Sequence, residues 1–290
     1  MRRFLLIFLV TGLAASCSST SFMYNNAPWY LRDKVDDYFS LSRIQEQRLD
    51  EDIELFFIWH RQNELPLYAD LLSRFNTQFG DGLSRTEATL LVDQIIAART
   101  RFVEASLAPA SAFLATINPA QVDYYDSAFY ARQAEKKAHL KLSAEAQYEK
   151  KFADLVDSLE QWFGELDDAQ LVKLREINPI RSFTPQQRIA RHEQRHRQFI
   201  ALLRTKPDRT ELEAYLRNRF SVPEGTAEVA QNDGWRSAQD WIELILRIDQ
   251  IFTPAQRQHA INRVTDYQDS LIALNHQGDQ NYRPSSRSRR

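Results

Sequence analysis

Residues 192–196 read His192-Glu193-Gln194-Arg195-His196 and fit the H-E-x-x-H spacing of a zinc-hydrolase helix. Two histidines four positions apart share one helical face and can ligate one metal ion, while the glutamate can serve as general base. The periodicity agrees, because Ile189, His192, His196, Phe199 and Leu203 form one stripe. The surroundings oppose the chemistry. Arg191, Arg195 and Arg197 put positive charge where a dication would sit. No Gly-x-x-His follows to supply a third ligand, and Glu211 and Glu213 lie in no Asn-Glu setting. The expectation is that His192 and His196 are partly buried and paired with acidic neighbours, with no zinc, no cofactor and no catalytic residue. A zinc-dependent hydrolase through His192 and His196 stands as an alternative.

Other catalytic constellations are missing from the sequence. It has no glycine-rich phosphate loop and no Gly-x-Ser-x-Gly elbow. Acidic pairs such as Asp36-Asp37, Glu51-Asp52 and Asp167-Asp168 fall where a helix start or a solvated helical surface would hold them. The formal net charge is -2, and removing Arg2 and Arg3 with a leader would make it about -4. A weakly acidic chain argues against nucleic acid as a partner.

The elements that would position any site are helices. The 290 residues include only 7 Gly, while Leu, Ala, Gln, Glu and Arg, which lose little rotamer freedom in a helix, are plentiful. Apolar residues recur at helical spacing in Leu49, Ile53, Phe56, Phe57 and His60, in Leu91, Ile95, Ala98, Phe102 and Ala105, and in Ala238, Trp241, Ile245, Ile248 and Phe252. The clearest stripe is Tyr148, Phe152, Leu155, Leu159, Trp162 and Leu166. Leu55, Ile58 and Trp59 form a second stripe on the helix that carries Leu49, and both stripes are expected to be largely buried.

One device punctuates these runs. Asn118-Pro119-Ala120-Gln121, Thr184-Pro185-Gln186-Gln187 and Thr253-Pro254-Ala255-Gln256 each place a capping side chain before Pro, with Gln at the third helical position. Ser84–Glu87 and Asp167–Gln170 are looser copies, and the spacings are too irregular for a solenoid. The boundaries predict helices over 28–40, 42–79, 84–115, 119–164 (with a break near 143), 168–177, 185–205, 208–221 and 226–276, the last broken at Thr253-Pro254. The fold class is an all-α, elongated multi-helix bundle.

The chain has a single cysteine, so no intrachain disulfide forms. Met1-Arg2-Arg3 is a basic start, and Phe4 to Ala15 is a twelve-residue, mostly apolar stretch. A spanning helix needs about 20 apolar residues, so this length fits a signal-peptide core. Ala14-Ala15-Ser16-Cys17 then resembles the lipobox read by lipoprotein signal peptidase, with Ala14 where Leu is usual. The resemblance implies diacylglycerol on the Cys17 thiol, cleavage between Ser16 and Cys17, and acylation of the new amino group. The expected layout is a signal peptide over 1–16, a lipidated tether over 17–27, a helical domain over 28–277 and a disordered basic tail over 278–290. Ser18 in place of Asp favours the periplasmic face of the outer membrane over the inner membrane.

Tyr24-Asn25-Asn26-Ala27, Asp36, Tyr38-Phe39, Gln45, Trp59-His60-Arg61 and Glu64-Leu65-Pro66-Leu67-Tyr68-Ala69 resemble an uncharacterised proteobacterial lipoprotein family, a helical domain of unknown function. That likeness implies a membrane-anchored periplasmic domain and carries no activity or catalytic residue. The Thr-Pro-x-Gln boxes are similar to the repeated Leu-Thr-x-x-Gln motifs of small periplasmic stress chaperones, although any helix N-terminus favours such boxes. The functional expectation is a non-enzymatic, lipid-anchored interaction or scaffold protein with an envelope protein partner, the alternative being a chaperone-like binder.

Overall fold

A polar side chain followed three residues later by Gln, Glu or Asp opens helix after helix in this chain. The computed structural model describes residues 17–138, 143–177, 185–220 and 237–281. They form α1 (Cys17–Phe39), α2 (Arg43–Asn63), α3 (Leu65–Gln78), α4 (Arg85–Leu114), α5 (Pro119–Ala138), α6 (Ala144–Phe163), α7 (Asp168–Ile177), α8 (Pro185–Arg204), α9 (Arg209–Phe220), α10 (Ala238–Asp249) and α11 (Pro254–Asn281). No strand occurs among the described residues, and the fold is all-α. Ser42 and Gln45 form a reciprocal capping box at α2, as do Ser84 and Glu87 at α4 and Ser237 and Asp240 at α10. Thr184, the cap expected for α8, lies outside the described residues.

Three boundaries differ from the sequence expectation. Helix α1 runs from Cys17 through Pro28, so residues 17–27, expected as a tether, are helical. An interior proline costs a helix about 3 kcal/mol. Tertiary contact holds the first turns instead: Tyr24 is buried between Leu65 and Leu274. The single helix expected over 42–79 breaks at Glu64, which ends α2 and begins α3, with Pro66 in the first turn of α3. Helix α11 continues to Asn281, past the 277 boundary; residues 282–290 of the expected tail lie outside the described residues.

Apolar side chains gather in several clusters. Phe39 of α1, Leu107 and Leu114 of α4, Val122 of α5, Ile200 and Leu203 of α8, and Leu212 and Leu216 of α9 form one. Phe152 of α6, Leu166, Leu174 of α7, Ile251 and Phe252 form another, which absorbs most of the long stripe on α6. Helix α4, with 30 residues and about 45 Å long, joins the first cluster to a third, where Ala88 and Val92 meet Ile242 of α10. This burial turns α4 by about one residue from the expected face, and Ile95 is exposed. The second stripe of α2 is also less buried than expected: Leu55 is 64 % exposed, and Ile58 and Trp59 are half-buried. Helices α1, α3, α4 and α11 all pack on α2, yet none covers Leu55.

Candidate functional site

The kink between α2 and α3 holds a buried polar cluster. Glu64 is 1 % exposed. Its carboxylate accepts two hydrogen bonds from Arg101 of α4, Nε to Oε1 at 2.7 Å and Nη2 to Oε2 at 2.9 Å. This bidentate fork is the geometry that best offsets the desolvation of a buried carboxylate. The Glu64 backbone bridges the kink as well, its N–H donating to His60 O and its carbonyl accepting from Tyr68 N–H, both at 2.9 Å.

One turn before Glu64, His60 sits among the rings of Phe56, Phe57, Trp59, Tyr68 and Phe102. Burial pulls its imidazole down to about 4, against the opposing pull of Glu64. The ring is therefore neutral at pH 7, and its Nδ1 lies 3.0 Å from the Tyr24 hydroxyl. Burial pushes Tyr24 up to about 12 and raises Tyr68, which also faces Glu64. A neutral hydroxyl at Tyr24 can donate to His60 Nδ1. Arg61 closes the cluster: it donates to Leu274 O at 3.0 Å and Asn25 Oδ1 at 2.9 Å and lies over the Tyr24 ring. Helices α1, α2, α3, α4 and α11 thus converge here on paired polar groups. Acid–base chemistry needs a proton donor or acceptor within reach of a substrate. Glu64 is clamped by Arg101 and sealed from solvent, so the arrangement locks helices together. Beside it, a shallow groove of about 640 Å3 runs between α1 and α2, with Trp29, Arg32, Phe57 and Arg61 on its walls.

His192 and His196 lie on one face of α8, as their spacing dictates, but their nitrogens are engaged separately. His196 is 4 % exposed and stacks on Phe129 with ring centroids 3.6 Å apart. Its Nε2 lies 2.7 Å from Asp126 Oδ1. Burial lowers the His196 pKa, with Asp126 pulling the other way. His196 Nδ1 is buried and has no hydrogen-bond partner among the described residues. His192 is exposed, and its Nδ1 meets Gln133 Nε2. The acidic pairing expected for the two histidines is seen at His196, with Asp126. Among the described residues, no group of three His, Cys, Asp or Glu side chains is placed to hold a metal ion.

The glutamine boxes do more than cap. At α2 and α5, Gln45 and Gln121 exchange amide hydrogen bonds, and Gln45 also donates to Thr116 O and Gln121 to Ser40 O. At α7 and α11, Gln170 and Gln256 do the same, donating in addition to Ile251 O and Glu165 O. Each extra acceptor lies two residues before the partner's cap. Sequence reasoning found three of these four boxes and passed over Ser42–Gln45. Tyr24, Glu64 and Tyr68 were legible only through the family resemblance, and Arg101 carried no sequence signal.

Of the expected lipidation residues, Cys17 is the first residue of α1 and Ser16 lies outside the described residues. No described helix is long and apolar enough to cross a membrane.

Residues 37–224 match DUF6279, a family of unknown function. That span is more than half of the chain, and the protein belongs to this family. It takes in His60, Glu64, Tyr68, Arg101, His192 and His196, and leaves Cys17, Tyr24 and α11 outside. No curated protein matches the chain, and no solved structure does.

Proposed function

We propose that this chain is a lipoprotein of the bacterial cell envelope, held by acyl groups on Cys17 at the periplasmic face of the outer membrane, and that it acts by binding. The observation that carries this reading is the position of its one cysteine. Cys17 follows a basic start, an apolar core and a run of small residues, and it belongs to helix α1. Three acyl chains would exceed the two signals needed for stable anchoring. A binding role is favoured over catalysis because Glu64 is occupied by Arg101, His60 by Tyr24 and His196 Nε2 by Asp126, each contact joining two helices.

Membrane fractionation tests the anchor. The wild type should sediment with membranes, and Cys17→Ala should accumulate as a larger precursor. A Cys17→Ala protein of wild-type size and wild-type membrane association would contradict the reading.

The exposure of Leu55 favours a second reading, a chaperone-like binder of unfolded chains, since a holdase must present apolar surface. Light scattering with two unrelated unfolding clients separates the readings. Strong suppression of both at equimolar ratio supports the chaperone; failure to suppress supports a specific envelope partner.

A further inference from the structure

Residues 17–31 contain no Asp, Glu, Lys or Arg, in a chain that is 26 % charged. They form the first four turns of α1. The inward side of these turns carries Tyr24, fixed in its cluster with Leu65 and Leu274. The outward side carries Phe22, Met23, Trp29 and Tyr30, with Phe22 69 % and Trp29 59 % exposed. Phe22 and Trp29 are seven positions apart, as are Met23 and Tyr30, so the four side chains stand in two adjacent rows about two turns long. Apolar surface on both sides of one helix demands a second environment besides the bundle core.

We infer that this outward face of α1 lies in the headgroup layer of the lipid bilayer, parallel to its surface, and fixes the orientation of the whole domain. The inference rests on acylation of Cys17. That residue belongs to α1 itself, so no slack chain separates the anchor from the face. Phe22 lies about 7.5 Å along the axis from Cys17 and Trp29 about 18 Å. An upright helix would lift Trp29 clear of a headgroup layer that is about 5–8 Å deep per leaflet, whereas a helix lying flat brings all four side chains to it. Trp and Tyr are the side chains that favour this layer, since an apolar ring ends in a polar handle. Leu67 of α3 and Ile272 of α11 are exposed too, on the two helices that meet α1 at Tyr24.

Full-length protein purified from membranes and reconstituted in phosphatidylethanolamine–phosphatidylglycerol vesicles containing brominated acyl chains tests the inference. Bromine quenches only tryptophan that reaches the bilayer, and Trp29 is one of five in the chain. The wild type should lose part of its emission to the brominated lipid, and Trp29→Phe should lose most of that quenching while keeping the wild-type circular dichroism. Mass spectrometry of Cys17 on the same sample separates the two claims. Acylated Cys17 with equal quenching in wild type and Trp29→Phe overturns the inference and leaves the anchor standing, the face then being covered by protein. Unmodified Cys17 overturns both.

Discussion

Gln45 and Gln121 hold each other's side-chain amides across the N-termini of α2 and α5, with Gln45 Nε2 3.1 Å from Gln121 Oε1 and Gln121 Nε2 2.8 Å from Gln45 Oε1. Both glutamines are buried, and each also accepts from the backbone N–H of its own cap, Ser42 or Asn118. Gln170 and Gln256 repeat the arrangement between α7 and α11. A motif that looks like four separate helix starts is thus two clasps.

Breaking one clasp should be measurable and non-additive. Gln45→Ala leaves the Gln121 amide with one fewer partner and the Thr116 carbonyl without this donor. Each single substitution should cost about 1–3 kcal/mol in denaturant unfolding, the range for orphaning buried polar groups. The double variant Gln45→Ala, Gln121→Ala should cost less than the sum, because both changes remove the same bonds. Strict additivity would show that the amides do not pair.

Removing Arg101 should be worse than removing any surface ion pair. Arg101→Leu takes the bidentate donor from a carboxylate that is 1 % exposed, while Arg101 itself is 38 % exposed, and orphaning such a group costs about 1–3 kcal/mol. Arg204→Leu, which loses an exposed contact to Asp123, should cost under about 1 kcal/mol. Adding Glu64→Leu to Arg101→Leu should restore part of the loss, and thermal unfolding of the three variants checks the order.

His60 should make the protein acid-sensitive. Its folded pKa of about 4 lies below the ordinary 6.5, so the unfolded chain takes up the proton first as pH falls. The stability held above pH 6.5 should therefore decline between pH 6.5 and pH 4, by roughly 3 kcal/mol from this group. His60→Gln should remove that part of the slope while keeping an acceptor for Tyr24. An unchanged slope in the variant would show that His60 is not held neutral.

Zinc should bind neither tightly nor stoichiometrically at α8. Protein purified without chelator should contain well under one zinc per chain, and EDTA should leave its Tm unchanged. One zinc per chain, lost in His196→Ala, would restore the hydrolase alternative. His196→Ala should instead destabilise, since it empties a site stacked on Phe129 and leaves Asp126 without its donor.

The all-α class and most helix starts were legible because caps and apolar periodicity are local signals. Most of the α6 stripe falls in one cluster with Ile248 and Phe252, while Trp241 and Ile245 of the α10 stripe pack in another, against Ala88 and Val92. Three features were not legible, each because tertiary contact overrides a local rule. Pro28 reads as a helix start, but Tyr24, held by His60 and Leu274, keeps the chain helical before it. Nothing around Glu64 marks a break except Pro66, and the bond to Arg101 is made across 37 residues of sequence. The five-residue zinc pattern fixes a helical face and not what that face meets, and Phe129 and Asp126 come from α5.

The central claim is that Cys17 carries the membrane anchor, and cells grown with an alkyne fatty acid test it most directly. The wild-type chain should take up the label through Cys17, and Cys17→Ala should take up none. Equal label on the Ala variant, or an unlabelled wild type beside labelled control lipoproteins, would contradict it.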